Sequence, residues 1–168
     1  MGRRYILSTL AALALSGCSD QASQAPAEPA ATPSAIFAGL PLSGNLATAR
    51  AAGFGNCLDG TTGGLRCQKA DVMVMGVGPL RAAVDLDVKG PGGSARFDHV
   101  TLWHPTDQSA TLPLRPLLEK EGWQSCLKPD EERFWRPPGP VRIAIDTNYW
   151  GSRRLVISAP PPDGKSYC

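Results

Sequence analysis

The stretch Ala51-Ala52-Gly53-Phe54-Gly55-Asn56-Cys57-Leu58 occurs a second time, in altered form, as Lys120-Glu121-Gly122-Trp123-Gln124-Ser125-Cys126-Leu127. Both copies place a glycine, an aromatic residue, two further residues, a cysteine and a leucine in the same order. Val84-Asp85-Leu86-Asp87-Val88 and Val141-Arg142-Ile143-Ala144-Ile145 also share alternating apolar positions. Motifs that recur in the same order indicate an internal duplication, although motifs this short also coincide by chance.

Each copy of the motif follows a predicted helix and precedes a run of predicted strands. The helices, about 46–52 and about 112–121, end at Gly53 and Gly122, since glycine readily adopts the left-handed conformation that ends a helix. The predicted strands are 54–58, 65–75, 80–89, 95–103, 123–127, 132–136, 141–147 and 154–159. We therefore predict an α+β fold of two tandem helix-plus-antiparallel-meander repeats, with the helices on one face of an antiparallel sheet. Repeat 1 covers about 36–104 and repeat 2 about 111–168.

This order of elements resembles two groups of proteins, the small outer-membrane assembly lipoproteins of the SmpA/OmlA type and the tandem-repeat β-lactamase inhibitor proteins. The resemblance lies in element order and setting, so it implies the fold and transfers no functional residue. The Gly-aromatic-x-x-Cys pattern is also similar to that of small sphingomonad-type envelope lipoproteins of unknown function, and this similarity implies no activity.

The first 17 residues have the layout of a secretory signal peptide. Arg3 and Arg4 form a basic start, an apolar run covers 5–15, and small residues follow. The apolar run is shorter than the roughly 20 residues that a transmembrane helix needs. Leu15-Ser16-Gly17-Cys18 resembles the lipobox of bacterial lipoproteins, and an ordinary signal peptide with a chance cysteine is the alternative. The resemblance implies acylation of Cys18 and attachment to a membrane through that lipid.

The residues after Cys18 carry information about location and domain boundaries. In enterobacterial lipoproteins an Asp directly after the acylated cysteine retains the protein in the inner membrane, so Ser19 favours the outer membrane, facing the periplasm. Residues 18–35 contain no aromatic or large aliphatic residue after the cysteine and are rich in Ala, Pro, Gln and Ser, which predicts a disordered tether. Residues 36–168 are then expected to form a single domain.

Charge and cysteine count restrict the class of protein. Of the 17 basic residues, Arg3 and Arg4 are lost with the signal peptide, so the mature chain has 15 basic and 15 acidic residues and is not expected to bind nucleic acid. Besides Cys18, the cysteines are Cys57, Cys67, Cys126 and Cys168. An even number in an oxidising compartment predicts disulfides, and three connectivities exist.

Among these connectivities we favour Cys57–Cys67 and Cys126–Cys168, because the first pair brackets a short glycine-rich turn. Cys57–Cys126 is the main alternative, since these residues are equivalent in the repeat. The spacing of a zinc site, C-x-x-C or C-x-x-H, is absent from the sequence, and we predict no metal and no cofactor.

No catalytic residue is assigned from the sequence, which has neither a G-x-S-x-G elbow nor a P-loop. His99 and His104, five residues apart, point to opposite faces if they share one strand. The carboxylates of Asp85, Asp87 and Asp98 could meet at a Ca²⁺ site, and a solvated strand face is the alternative. We therefore predict a protein that is not an enzyme.

Aromatic residues indicate where a partner could bind. Trp103, Trp123 and Trp135 fall within predicted strands and are expected in the core. Tyr149 and Trp150 instead fall in a predicted turn that is followed by two arginines; we predict a partner-binding surface of Tyr149, Trp150, Arg153 and Arg154, because these residue types are enriched at binding hot spots. In the alternative, the two aromatic side chains fold back on the sheet.

These observations favour a lipid-anchored envelope protein that acts as a non-catalytic interaction module, with another envelope protein as its partner. One alternative is an inhibitor of a periplasmic or incoming hydrolase of the lysozyme or β-lactamase type. The other is an enzyme with an unrecognised site.

Overall fold

The computed structural model describes residues 29–30, 33, 35–59, 64–88, 95–147, 153–159 and 167–168. The predicted signal peptide, Cys18 and most of the predicted tether lie outside these ranges, as do Tyr149 and Trp150. Within the described ranges, no helix has the length and apolar character that crossing a membrane requires.

The described residues form ten strands and two short helices. In chain order these are β1 Ile36–Phe37, β2 Leu40–Pro41, α1 Leu46–Ala51, β3 Gly55–Asp59, β4 Leu65–Val74, β5 Val77–Val88, β6 Ala95–Trp103, α2 Leu114–Lys120, β7 Gln124–Leu127, β8 Glu131–Trp135, β9 Arg142–Asp146 and β10 Arg154–Ser158.

Eight of the strands form one antiparallel sheet with the order β3-β4-β5-β6-β10-β9-β8-β7. Strands β3 to β6 form one meander and β7 to β10 another, and the two join where β6 pairs with β10. The register there places Val156 opposite Thr101 and Arg154 opposite Trp103. β1 and β2 form a separate two-stranded hairpin. The edges of the large sheet are therefore β3 and β7.

The predicted fold class is wrong, because the structure is mainly β. Strands make up 52% and helices 11% of the described residues, and the two helices have six and seven residues. Since an α-helix has 3.6 residues per turn, each helix has fewer than two turns and cannot form a layer comparable with the sheet. The α+β description with two tandem helix repeats is therefore replaced by an eight-stranded antiparallel sheet that carries two short helices.

Local sequence accounts for the limits of the helices. Asn45 and Thr48 form a capping box at the start of α1, in which the Asn45 side chain accepts a hydrogen bond from the Thr48 N–H at 3.0 Å and the Thr48 hydroxyl accepts one from the Asn45 N–H at 3.3 Å. Gly53 and Gly122, which follow α1 and α2, have φ angles of 86° and 81°. Such angles favour glycine, so both helices end where the sequence predicted.

One face of the eight-stranded sheet, termed the inner face, packs with the helices and the hairpin into a single apolar core. Phe134 is the largest side chain that is completely buried there. Burying a side chain of this kind contributes about 1.5–3 kcal/mol to folding. The core residues from the large sheet are Cys67, Val72, Val74, Leu80, Ala82, Val84, Leu86, Val100, Leu102, Phe134, Ile143, Ile145, Leu155 and Ile157.

Candidate functional site

The opposite side of the sheet, termed the outer face, carries three rows of side chains that cross the strands. Its middle row consists of Gln68, Ala83, Thr101, Val156, Ala144 and Arg133. On one side lies the His99 row, with Leu58, Arg66, Asp85 and His99 in one half of the sheet and Arg142 and Trp135 in the other. On the other side lies the Trp103 row, with Arg81, Trp103, Arg154, Asp146 and Glu131.

Small side chains occupy the centre of the middle row, between Gln68 at one end and Arg133 at the other. Ala83, Thr101 and Ala144 are only 0%, 3% and 8% exposed, although their positions in the strands place them on the face opposite the core. Other side chains therefore cover them. On the outer face, small side chains thus lie between two rows of larger polar and aromatic side chains, the His99 row and the Trp103 row.

Three side chains of the His99 row form a linked cluster across β4, β5 and β6. The register places Arg66 opposite Asp85 and Asp85 opposite His99. One guanidinium nitrogen of Arg66 donates to both carboxylate oxygens of Asp85 at 3.0 Å, and His99 Nε2 lies 3.1 Å from Asp85 Oδ2. His99 Nδ1 lies 2.7 Å from Asp98 Oδ2. Asp85 therefore joins the arginine to the histidine.

The contacts within this cluster change the acidity of two of its members. Burial on its own raises the pKa of Asp85, but the hydrogen bond from His99 and the charge of Arg66 outweigh it, so this pKa is lowered. The hydrogen bond to Asp85 raises the pKa of His99, burial opposes it, and the hydrogen bond to Asp98 adds to the rise. The cluster thus favours a charged carboxylate at Asp85 and a protonated imidazole at His99.

An open cleft of about 380 Å³ lies beside this cluster, lined by residues that include Gly64, Asp87 and Asp98. A Cβ atom at Gly64 would lie 2.9 Å from the carbonyl oxygen of Leu86, so glycine allows β4 to begin close to β5. Both ring nitrogens of His99 already face carboxylates, so this histidine has no nitrogen directed at a substrate. Within the described ranges, no group of three or more His, Cys, Asp or Glu side chains could hold a metal ion.

The Trp103 row combines an aromatic ring with arginines. Arg81 and Arg154 lie on either side of Trp103, on β5 and β10, and the guanidinium carbon of Arg66 lies 5.9 Å from the centre of the indole ring. Arg154 pairs with Asp146 at 3.1 Å, whereas Arg81 forms no ion pair with any described residue. Trp103 is half-buried, and Arg81 and Arg154 are exposed.

In the other half of the outer face, Tyr167 and Cys168 lie against β7, β8 and β9. The Tyr167 carbonyl accepts a hydrogen bond from Arg133 at 3.0 Å. Its ring lies 5.2 Å from the guanidinium carbon of Arg133, 5.5 Å from that of Arg142 and 6.4 Å from the Trp135 ring, and burial raises the pKa of its hydroxyl. This segment therefore covers part of the outer face.

The structure separates the residues that the sequence predicted for partner binding. Arg154 is exposed on the outer face, but Arg153 is 8% exposed and is buried, while Tyr149 and Trp150 lie outside the described residues. The cysteines are joined as Cys57–Cys67 and Cys126–Cys168, the two pairs that the sequence favoured. Asp85 and Asp98, which the sequence analysis considered as calcium ligands, both contact His99 instead.

Several outer-face residues were assigned elsewhere or overlooked by the sequence analysis. Trp123 is buried as expected, but Trp103 and Trp135 are half-buried on the outer face. Strand alternation was the available signal, because Trp103 shares parity with Thr101 and His99, whereas Leu102 and Val100 have the opposite parity and are apolar. Arg66 and Arg81 gave no comparable signal, since their neighbours depend on the register between strands.

No protein-family model, curated protein or solved structure matches this chain.

Proposed function

We propose that the protein is a lipid-anchored envelope lipoprotein, facing the periplasm from the outer membrane, that binds another envelope protein through its outer face without catalysing a reaction. The observation that carries this proposal is the outer face itself, a β-sheet surface on which arginines and tryptophans border a central group of small side chains. Trp, Tyr and Arg are the residue types that dominate binding energy at protein interfaces.

In the half of the outer face formed by β3 to β6, several side chains are accessible to a partner. Leu58, an edge residue of the His99 row, is 66% exposed, and Arg81 is exposed beside the half-buried Trp103. Aromatic residues such as Trp103, and arginine, are enriched at protein interfaces. The charged groups around them, Arg66 with Asp85 and Arg154 with Asp146, are suited to a polar rim.

The chemistry of the cleft favours binding over catalysis. His99 is the one histidine among the described residues that line the cleft, and its two nitrogens are committed to Asp85 and Asp98. A general base needs a nitrogen within hydrogen-bonding reach of its substrate. The cluster instead gives Arg66, Asp85 and His99 fixed positions on the surface, which is a property useful in recognition.

Site-specific photo-crosslinking tests this function in intact cells. A photoreactive phenylalanine derivative replaces Leu58, which lies in the His99 row of the outer face. The matched control replaces Leu127, which is 72% exposed at the other sheet edge and shares the inner-face side with buried Glu132. We expect a discrete protein adduct from position 58 that is lost in the Trp103→Ala variant and is absent from position 127.

Equal adducts from both positions, or none from position 58, would contradict docking through the outer face. The melting temperature of Trp103→Ala is measured in parallel, because a half-buried side chain also contributes to folding. If the melting temperature of that variant is much lower, the comparison of positions 58 and 127 in the parent protein still decides whether the outer face docks a partner. A hydrolase in the adduct would identify the partner as an enzyme.

A further inference from the structure

The Trp103 row contains an arginine, Arg81, that forms no ion pair with a described residue. Arg81 and Arg154 lie opposite Trp103 in the register, on the two strands that neighbour β6. Asp146 neutralises Arg154 at 3.1 Å, and Asp85 neutralises Arg66 at 3.0 Å, whereas no described acidic side chain pairs with Arg81. An exposed guanidinium next to an aromatic ring is therefore available for a negatively charged group from outside the described structure.

The protein's own Tyr167–Cys168 segment indicates how the outer face accepts a polypeptide. Arg133 donates to a backbone carbonyl of this segment while its guanidinium lies 5.2 Å from the tyrosine ring. The arginines of this face thus bind an oxygen acceptor and an aromatic side chain at the same time. Among the described residues, no comparable segment covers Trp103 and Arg81 in the other half of the sheet.

We propose that the Trp103 row binds an extended segment of the partner protein that carries a carboxylate side chain next to an aromatic or large apolar one. The carboxylate pairs with Arg81, and the apolar group packs on the Trp103 ring. Guanidinium–carboxylate hydrogen bonds are charge-assisted and stronger than neutral ones, and the fork of donors suits a carboxylate. This inference rests on the proposed function, because it names the chemistry of the partner at the same surface.

The surrounding charges favour a single carboxylate over a polyanion. Asp146 lies in the same row at 3.1 Å from Arg154, and its carboxylate would repel the further phosphates of a polyanion. A segment rich in lysine or arginine would in turn place positive charge against Arg81. A short acidic segment with one apolar side chain avoids both repulsions.

Selection from a displayed library of short random peptides on the purified full-length protein in detergent tests this inference. We expect the enriched peptides to carry Asp or Glu within a few positions of an aromatic or large aliphatic residue. Arg81→Glu should weaken their binding by about tenfold or more, since a hot-spot arginine contributes at least about 1.4 kcal/mol. Arg81→Lys should retain part of the binding.

The matched control is Arg50→Glu, which reverses the charge of an exposed arginine on α1, away from the outer face, and should leave peptide binding unchanged. The inference would be overturned by enriched peptides that lack a carboxylate or that bind the Arg81→Glu variant as well as the parent protein. It would also be overturned if Arg50→Glu weakened peptide binding as much as Arg81→Glu does. A failure to enrich any peptide over the Arg81→Glu protein would overturn it as well. A photo-adduct at position 58 in such a case would leave the proposed function standing and refute only the acidic partner segment.

Discussion

At the scale of single residues, Asp85 is the centre of the polar cluster on the outer face. Its carboxylate contacts Arg66 and His99 on the two neighbouring strands, while Asp98 contacts the other nitrogen of His99. These side chains belong to three different strands, so their contacts also tie β4, β5 and β6 together. The Arg66 side chain is 40% exposed, so solvent screens its ion pair with Asp85, and the contribution of this pair to stability is at most about 1 kcal/mol.

The histidine makes the stability of the protein depend on pH. A raised pKa in the folded state means that the stabilisation is fully present below the ordinary histidine pKa, about 6.5, and is lost as the pH rises through the raised value. We expect His99→Gln to lower the free energy of unfolding by about 1 kcal/mol near pH 5.5, and by much less near pH 9. Urea unfolding at the two pH values measures the difference.

The control for this prediction is the same substitution in an Asp85→Asn background, where the main cause of the raised pKa is missing. The pH-dependent part of the loss should shrink there, because an amide offers His99 no negative charge. A loss of equal size at both pH values in the parent background would show that His99 contributes only by packing.

At the scale of secondary-structure elements, the strands contribute most of the buried core residues, and the helices cover one side of the core. α1 contributes Ala49, and α2 contributes Leu114 and Leu118, each at most 1% exposed. The two edge strands differ: β3 has an irregular register against β4 between Gly55 and Leu58, whereas β7 pairs with β8 without interruption. The Cys126–Cys168 disulfide lies on β7 and holds Tyr167 over the outer face beside it.

Removal of this disulfide should destabilise the fold. The cross-link joins residues 42 positions apart, and a closed loop of that length restricts the unfolded chain by about 4 kcal/mol. We expect Cys126→Ala combined with Cys168→Ala to lower the free energy of unfolding by roughly that amount, measured by urea denaturation of the oxidised protein.

Lys128→Ala serves as the control, because Lys128 donates a hydrogen bond of 2.7 Å to the Cys168 carbonyl without contributing to the cross-link. Its effect should stay within about 0.5 kcal/mol, as for most surface substitutions. If the double cysteine variant were no less stable than Lys128→Ala, the cross-link would not be restricting the unfolded chain.

At the scale of the whole molecule, one antiparallel sheet separates an apolar side from a polar and aromatic side. The helices and the β1–β2 hairpin pack against the inner face, and among the described residues only Tyr167 and Cys168 lie over the outer face. Pro29, the first described residue, accepts a hydrogen bond of 2.9 Å from the Asn45 side chain. Pro29 therefore lies on the helix side of the sheet, away from the outer face.

The proposed lipid attachment at Cys18 is tested by Cys18→Ser. Only a thiol accepts the thioether-linked lipid implied by the lipobox resemblance, and two or more acyl chains are needed for stable attachment. We expect the variant to leave the membrane fraction as a soluble periplasmic protein or to accumulate uncleaved, measured by fractionation and detergent partitioning. A variant that partitions into detergent like the parent, with its signal peptide removed, would show that Cys18 is not the anchor.

Sequence alone predicted the elements well and their assembly poorly. Each predicted strand of the large sheet lies within three residues of an observed one, because alternation of apolar residues and the turn residues between strands are local signals. The favoured cysteine pairs are also present. The predicted fold class was wrong, because the prediction treated the two glycine-terminated helices as a full layer on the sheet, although each helix has fewer than two turns.

The candidate site required the tertiary structure, because its residues meet only through pairing between distant strands. Strand pattern alone could place Trp103 on the same side of β6 as His99, but not Arg154 beside it, since the 50 residues between β6 and β10 include α2 and the strands β7, β8 and β9. The contact of Arg66 with Asp85 and His99 likewise depends on the register of β4, β5 and β6. Local periodicity decided which residues form strands and which side of each strand is apolar. Long-range hydrogen-bonded register, set by burial of the inner face, decided which polar side chains became neighbours.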